Sequence, residues 1–139
     1  MSARRIDQGM AAAAAELLPD PVTKELRTRY RQLRIMTRTA GLAGTYAFIA
    51  SKEGEGSDLA LAYRKAAQGI RDRLGQMQLL PAEARQMTAR DVLRELGNMD
   101  MAKYTRASAE AAAFIGWLAR LADAAYQDDK DTEAGDRAS

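Results

Sequence analysis

Apolar residues recur along this chain three and four positions apart, the spacing of one face of a helix. In the first stretch Ile6, Met10, Ala13 and Leu17 share a face and predict a helix from about Ile6 to Leu18. Pro19-Asp20-Pro21 ends it. Asp20 is expected to cap the next helix, with Pro21 at the first position, where a missing N–H does no harm. Leu26, Tyr30, Leu33, Met36 and Ala40 make the apolar face of that second helix. From Leu42 to Ala50 apolar residues surround the axis, which predicts a segment buried all round. Gly41 and Gly44 allow either a bend or a close helix approach there.

Lys52 to Ser57 (KEGEGS) reads as a loop, and Ser57 as the cap of a helix. Leu59, Tyr63, Ala66, Ile70 and Leu74 form that helix's inner stripe, with Gly75 closing it. Pro81 opens a short connecting turn or helix. Thr88 and Asp91 match a capping box ahead of Val92, Leu93 and Leu96, and Gly97 is a stop. The last helix is expected from near Asp100 to about Tyr126. Tyr104, Ala111, Ile115, Leu118 and Ala122 line it, flanked by Phe114, Trp117, Leu121 and Ala125, an arc wide enough for more than one neighbour. There is no strand pattern and no internal repeat. The predicted fold is all-α, one compact bundle of about six helices over residues 1–126. An acidic tail, 127–139, is expected to be disordered.

Length and composition support this picture. A chain of 139 residues suits one domain with a real core, and alanine, leucine and arginine favour helix over sheet. No apolar run approaches the roughly 18 residues that span a membrane. Arg4 and Arg5 are followed by Asp7, Gln8 and an alanine run, a helix start rather than a signal peptide. A cytoplasmic location is the default expectation.

Charge changes the picture more. The net charge of +2 hides a segregation, because 127–139 hold five acids and two bases, leaving +5 on 1–126. Between Glu25 and Glu53 stand Arg27, Arg29, Arg31, Arg34, Arg38 and Lys52, with no acid. Arg27, Arg31, Arg34 and Arg38 are spaced by four, three and four, which on a helix confines them to a stripe about 60° wide. Like charges on one face repel unless something negative pairs with them. Guanidinium groups suit bidentate phosphate contact, so the stripe points to a nucleic-acid backbone. The competing readings are a solvated face, or arginines paired with carboxylates from elsewhere in the fold. Lys52 is a fifth candidate contact, and Arg64, Lys65, Arg71 and Arg73 a possible second strip.

The chemistry of enzymes finds little to use. There is no histidine and no cysteine, which removes the commonest general base, thiolate nucleophiles and thiolate metal sites. The glycines at 41, 44, 54 and 56 fit no nucleotide-binding fingerprint. Asp128, Asp129 and Asp131 fall in the tail and are not expected to hold a metal. Glu110 lacks a second catalytic partner and reads as structural. No enzyme activity and no cofactor are expected.

Two segments, GLAGTYAFIASK (41–52) and YTRASAEAAAFIGWLARLADA (104–124), carry a resemblance that the N-terminal DQGMAAAAAELL joins. Together they resemble the small all-helical fifth subunit of the type III-B CRISPR RNA-silencing complex, the Cmr complex. The matching positions are Gly41, Leu42, Ala47, Phe48, Ser51 and Lys52, then Tyr104, Glu110, Ala111, Phe114, Trp117, Leu118, Arg120 and Ala122. The family often has a proline in the helix before Gly-Leu and a polar residue before the glycine; Arg34 and Ala40 stand there instead. The resemblance spans most of residues 6–125 and implies a non-catalytic subunit. It implies stacking with further copies of itself beside the backbone subunit, lining the channel where guide RNA and target RNA pair. From the lack of a long apolar run, no membrane partner is expected.

Two other readings stay open. In one, the chain is a helical protein–protein adaptor whose arginines dock on acidic surfaces, such as Glu83, Asp91 and Glu95 of a neighbouring copy. In the other, the Thr88–Gly97 helix belongs to a DNA-binding helix-turn-helix, although Arg90, Asp91, Arg94 and Glu95 balance in charge and supply no base-reading set.

Overall fold

The computed structural model describes the backbone of residues 3–54 and 56–138 and the side chains of 8–54 and 56–130. Six α-helices follow one another: α1 (Ala3–Leu17), α2 (Lys24–Thr39), α3 (Gly41–Lys52), α4 (Asp58–Gln76), α5 (Ala89–Asn98) and α6 (Met101–Ala138). A single 3₁₀ turn, Ala84–Gln86, joins α4 to α5, and no strand occurs among the described residues. No helix of the described residues is long and apolar enough to cross a membrane.

The predicted helices are present, with several changes at their ends. The first helix buries Met10 and Ala14 and half-buries Leu17, while Ala13 is exposed; the side chain of Ile6 lies outside the described residues. The second helix begins later than expected. Thr23, not Asp20, is its cap, and the Thr23 hydroxyl accepts from the Leu26 amide at 3.1 Å. Pro21 therefore lies in the connection, and Val22 packs into the core instead. Ser57 and Thr88 cap α4 and α5 as their sequences require, accepting from Ala60 N and Asp91 N. Gly75 does not close α4. The helix runs on to Gln76, and Gln78 takes the left-handed φ of +58° after it. Gly97 likewise lies inside α5, one residue before its end.

Gly41 resolves the choice between bend and close approach. Its φ of +74° breaks the chain into two helices, and the Ala40 amide closes α2 on Met36 O at 2.8 Å. The expectation that 42–50 is buried all round fails. Leu42, Thr45, Tyr46 and Ile49 are buried, but Gly44 and Ala47 are exposed, because alanine and glycine make the outer face apolar without making it internal. No side chain caps α3 at Ala40. Instead the Ala43 amide donates to the Tyr104 hydroxyl at 3.1 Å, so α6 satisfies one of the unpaired N–H groups of α3. The two segments that carry the family resemblance meet at this contact.

The longest helix, α6, packs on α1, α2, α3 and α4. Phe114, Ile115, Leu118 and Ala122 are buried along it, and each large side chain contributes about 1.5–3 kcal/mol by leaving water. Its bounds run past Tyr126 to Ala138. Opposite α6, Gly69 of α4 permits a close approach. A Cβ there would press into Phe114 Cζ, with Phe114 Cε1 at 2.6 Å and Leu17 Cδ1 at 2.8 Å. Phe114 is only 2% exposed and has nowhere to move. Gly69→Ala is therefore expected to destabilise the protein by about 1–3 kcal/mol through overpacking, read as a lowered midpoint in chemical denaturation.

Candidate nucleic-acid interface

The arginine stripe forms on α2 because Leu26, Tyr30 and Leu33 take the inner face and are buried at 3% exposure or less. Tyr30 points inward as expected and donates its hydroxyl hydrogen to Ala62 O at 3.4 Å. Burial raises its phenol well above the ordinary value, with Tyr63 adding to the rise. Rotated from that face by roughly 100°, the arginines run along the edge of α2 beside α6. The contacts between the two helices pair rising α2 numbers with falling α6 numbers, so the helices are antiparallel.

The four arginines divide into two pairs. Arg27 lies over the Tyr126 ring, its Cζ 4.1 Å from the centroid, and its Nε is buried with no hydrogen-bond partner among the described residues. Arg31 donates from Nε and Nη2 to Asp123 Oδ1, both at 2.9 Å. That pair is 52% and 41% exposed, so it contributes only about 0.2–1 kcal/mol. Arg34 and Arg38 make no side-chain ion pair or hydrogen bond among the described residues. Arg34 is half-buried and Arg38 exposed. Between them Ile35 is 60% exposed. The reading of arginines paired from elsewhere in the fold thus holds for Arg31, and not for Arg34 and Arg38. Sequence reasoning missed Asp123 and Tyr126, since nothing in the sequence says which helix lies along α2.

Arg29 takes a different course, reaching along its own helix to Glu25 at 3.8 Å and Gln32 at 3.5 Å. Lys52 is the last residue of α3, roughly 17 Å along that helix from the break at Gly41, and does not prolong the stripe in phase. Its Nζ lies 5.6 Å from the Phe48 ring centroid.

The possible second strip does not form. Arg64 donates to Glu53 O at 2.9 Å, and Arg71 donates to the Tyr46 hydroxyl at 2.9 Å. Arg73 lies on the other side of α4, with Nε 2.9 Å from Glu110 Oε2, the pair being 13% and 23% exposed. This explains Glu110 as a structural carboxylate tying α4 to α6. Asp72 serves Arg85 in a two-pronged contact, Nε to Oδ1 at 3.0 Å and Nη2 to Oδ2 at 3.1 Å. Arg64, Arg71 and Arg73 thus turn to different neighbours and do not form one array. Glu83, Asp91 and Glu95, by contrast, do come together around one surface hollow, with Arg94 3.8 Å from Asp91.

The fold and this face define a small helical-bundle protein that presents a basic helix beside its longest one. The profile of the family described as CRISPR-associated protein (Cas_Cmr5) matches residues 3–125, and the chain belongs to that family. It is a subunit associated with the type III-B CRISPR Cmr complex, as the resemblance implied. No curated protein and no solved structure matches the chain.

One carboxylate of this region is strained electrostatically. Glu53 Oε1 is buried without a hydrogen-bond partner among the described residues. Burial raises the Glu53 carboxyl above its usual range, while Arg71 and Arg64 pull it part of the way back. A carboxyl raised in the folded state contributes stability below its ordinary pKa, and the contribution is lost as pH rises through the raised value. Glu53→Gln is therefore expected to raise Tm at neutral pH and to leave it unchanged well below the carboxylate range, as followed by circular dichroism.

Proposed function

We propose that this chain is a non-catalytic small subunit of the Cmr ribonucleoprotein, stacking with further copies along the filament and contacting the guide and target RNA backbone through α2. Arg34 and Arg38 carry the reading: two neighbouring guanidinium groups on one face with no anionic partner among the described residues. Arg31 is available at small cost, because its pair with Asp123 is exposed. Arg27 contributes charge at the same edge, and Lys52 belongs to a separate position at the end of α3. Phosphate contact of this kind needs positive charge and shape rather than base reading, as in other RNA-guided complexes. Partners of this reading are the backbone subunit, other copies of the chain and the paired RNAs.

Arg34→Ala/Arg38→Ala is the direct test, since neither side chain supports the fold through a polar contact. The double variant is expected to keep its helicity and to bind an RNA duplex more weakly. Each lost phosphate contact lowers the slope of log K against log salt by roughly 0.7–0.9. An unchanged slope would reject α2 as the RNA-facing surface.

Two observations favour a second reading, a protein–protein adaptor. Ile35 is exposed among the arginines, and Glu83, Asp91 and Glu95 line one hollow that could receive them from another copy. This reading predicts self-association without RNA that weakens with salt, in sedimentation velocity. A monomer at every salt concentration would count against it.

A further inference from the structure

We propose that the C-terminal end of α6 is an intramolecular competitor for the basic face of α2, occupying Arg27 and Arg31 until a polyanion displaces it. The inference rests on the RNA-facing reading above and concerns the regulation of that same surface. Asp123, Tyr126 and Asp129 are three apart and climb one edge of α6. Each makes a contact on the opposing segment. Asp123 accepts from Arg31 at 2.9 Å, Tyr126 lies beneath Arg27 at 4.1 Å, and Asp129 Oδ2 accepts from the Val22 amide at 2.8 Å. The last of these fastens the end of α6 to the connection that leads into α2.

A carboxylate and a phosphate oxygen are the same kind of ligand for an arginine fork. Asp123 therefore stands where an RNA phosphate would bind Arg31. Its pair is half-exposed, weak enough to exchange. Arg34 and Arg38 have no side-chain polar partner among the described residues and offer a first point of contact, from which a phosphate backbone can reach Arg31. Tyr126 and Asp129 lie beyond the family match, which ends at residue 125. Residues 127–139 carry five acids and two bases. Asp123 and Asp129 place negative charge at the end of the stripe that holds Arg27 and Arg31.

The test compares the full-length protein with Asp123→Asn, Asp129→Asn and Asp128→Asn for binding a labelled RNA duplex of arbitrary sequence, at low and high salt. Asparagine at 129 still accepts from the Val22 amide, so the anchor survives and only the charge is lost. Asp128 is exposed and has no contact with α2 among the described residues, and its variant measures the effect of net charge alone. Asp123→Asn is expected to tighten binding by up to about fivefold at low salt, with Asp129→Asn in the same direction and Asp128→Asn smaller. The gain fades at high salt as the competing charge is screened. Equal effects from Asp123→Asn and Asp128→Asn would overturn the competitor, as would no effect from either. If binding in that case still falls on Arg34→Ala/Arg38→Ala, the RNA-facing reading stands alone. No binding by the wild type together with binding by Asp123→Asn/Asp129→Asn would support the competitor strongly. No binding by any of them at low salt overturns both.

Discussion

The antiparallel packing of α6 along α2 governs both the core and the charge of this protein. Leu26, Tyr30 and Leu33 fix the inward face of α2, and the buried residues of α6 fix the rotation of its partner. Once those two faces meet, the arginine edge of α2 has to run beside α6. Whatever α6 carries along that edge then decides how much positive charge reaches solvent. Asp123 and Tyr126 fall opposite Arg31 and Arg27, and Arg34 and Arg38 have no counterpart. A rotation of α6 by one residue, about 100°, would redistribute these pairs and turn Phe114 away from Gly69.

The same helix also links the other elements. Tyr104 completes the uncapped start of α3, and Glu110 pairs with Arg73 of α4 in the better-shielded of the interhelical ion pairs described. Removing one partner of this shielded pair would leave the other charge without compensation, so the pair penalises any packing of α4 and α6 that separates Arg73 from Glu110. Glycine serves at two points for different reasons. Gly41 supplies a left-handed turn that separates α2 from α3, and Gly69 leaves room for the Phe114 ring.

A basic helix edge half-covered by its own protein is suited to assembly. The exposed ion pair at Arg31 costs little to open, and the two uncovered arginines keep a field at the surface that falls off within a Debye length, about 8 Å at physiological salt. Under the reading proposed above, this is how a chain of the Cas_Cmr5 family would meet a phosphate backbone.

Much of the fold was legible in the sequence. Helical spacing, the caps at Ser57 and Thr88, and the interruption at Gly41 depend on residues a few positions apart, and local sterics and hydrogen bonding settle them. The arginine stripe was legible for the same reason, being a property of one helix. The errors also came from reaching beyond local rules. Asp20-Pro21 resembled a helix start, but Val22 is drawn into the core and Thr23 takes the cap. Ala47 and Gly44 looked internal because small apolar residues are tolerated on either face. Arg71 and Arg73 looked like one strip, yet they point to Tyr46 and Glu110 on different neighbours. Local spacing settles where the helices lie, most of their inner faces and the clustering of positive charge. Which of those charges are answered depends on the packing, because Arg31 and Asp123 lie 92 residues apart and meet through apolar faces that neither belongs to.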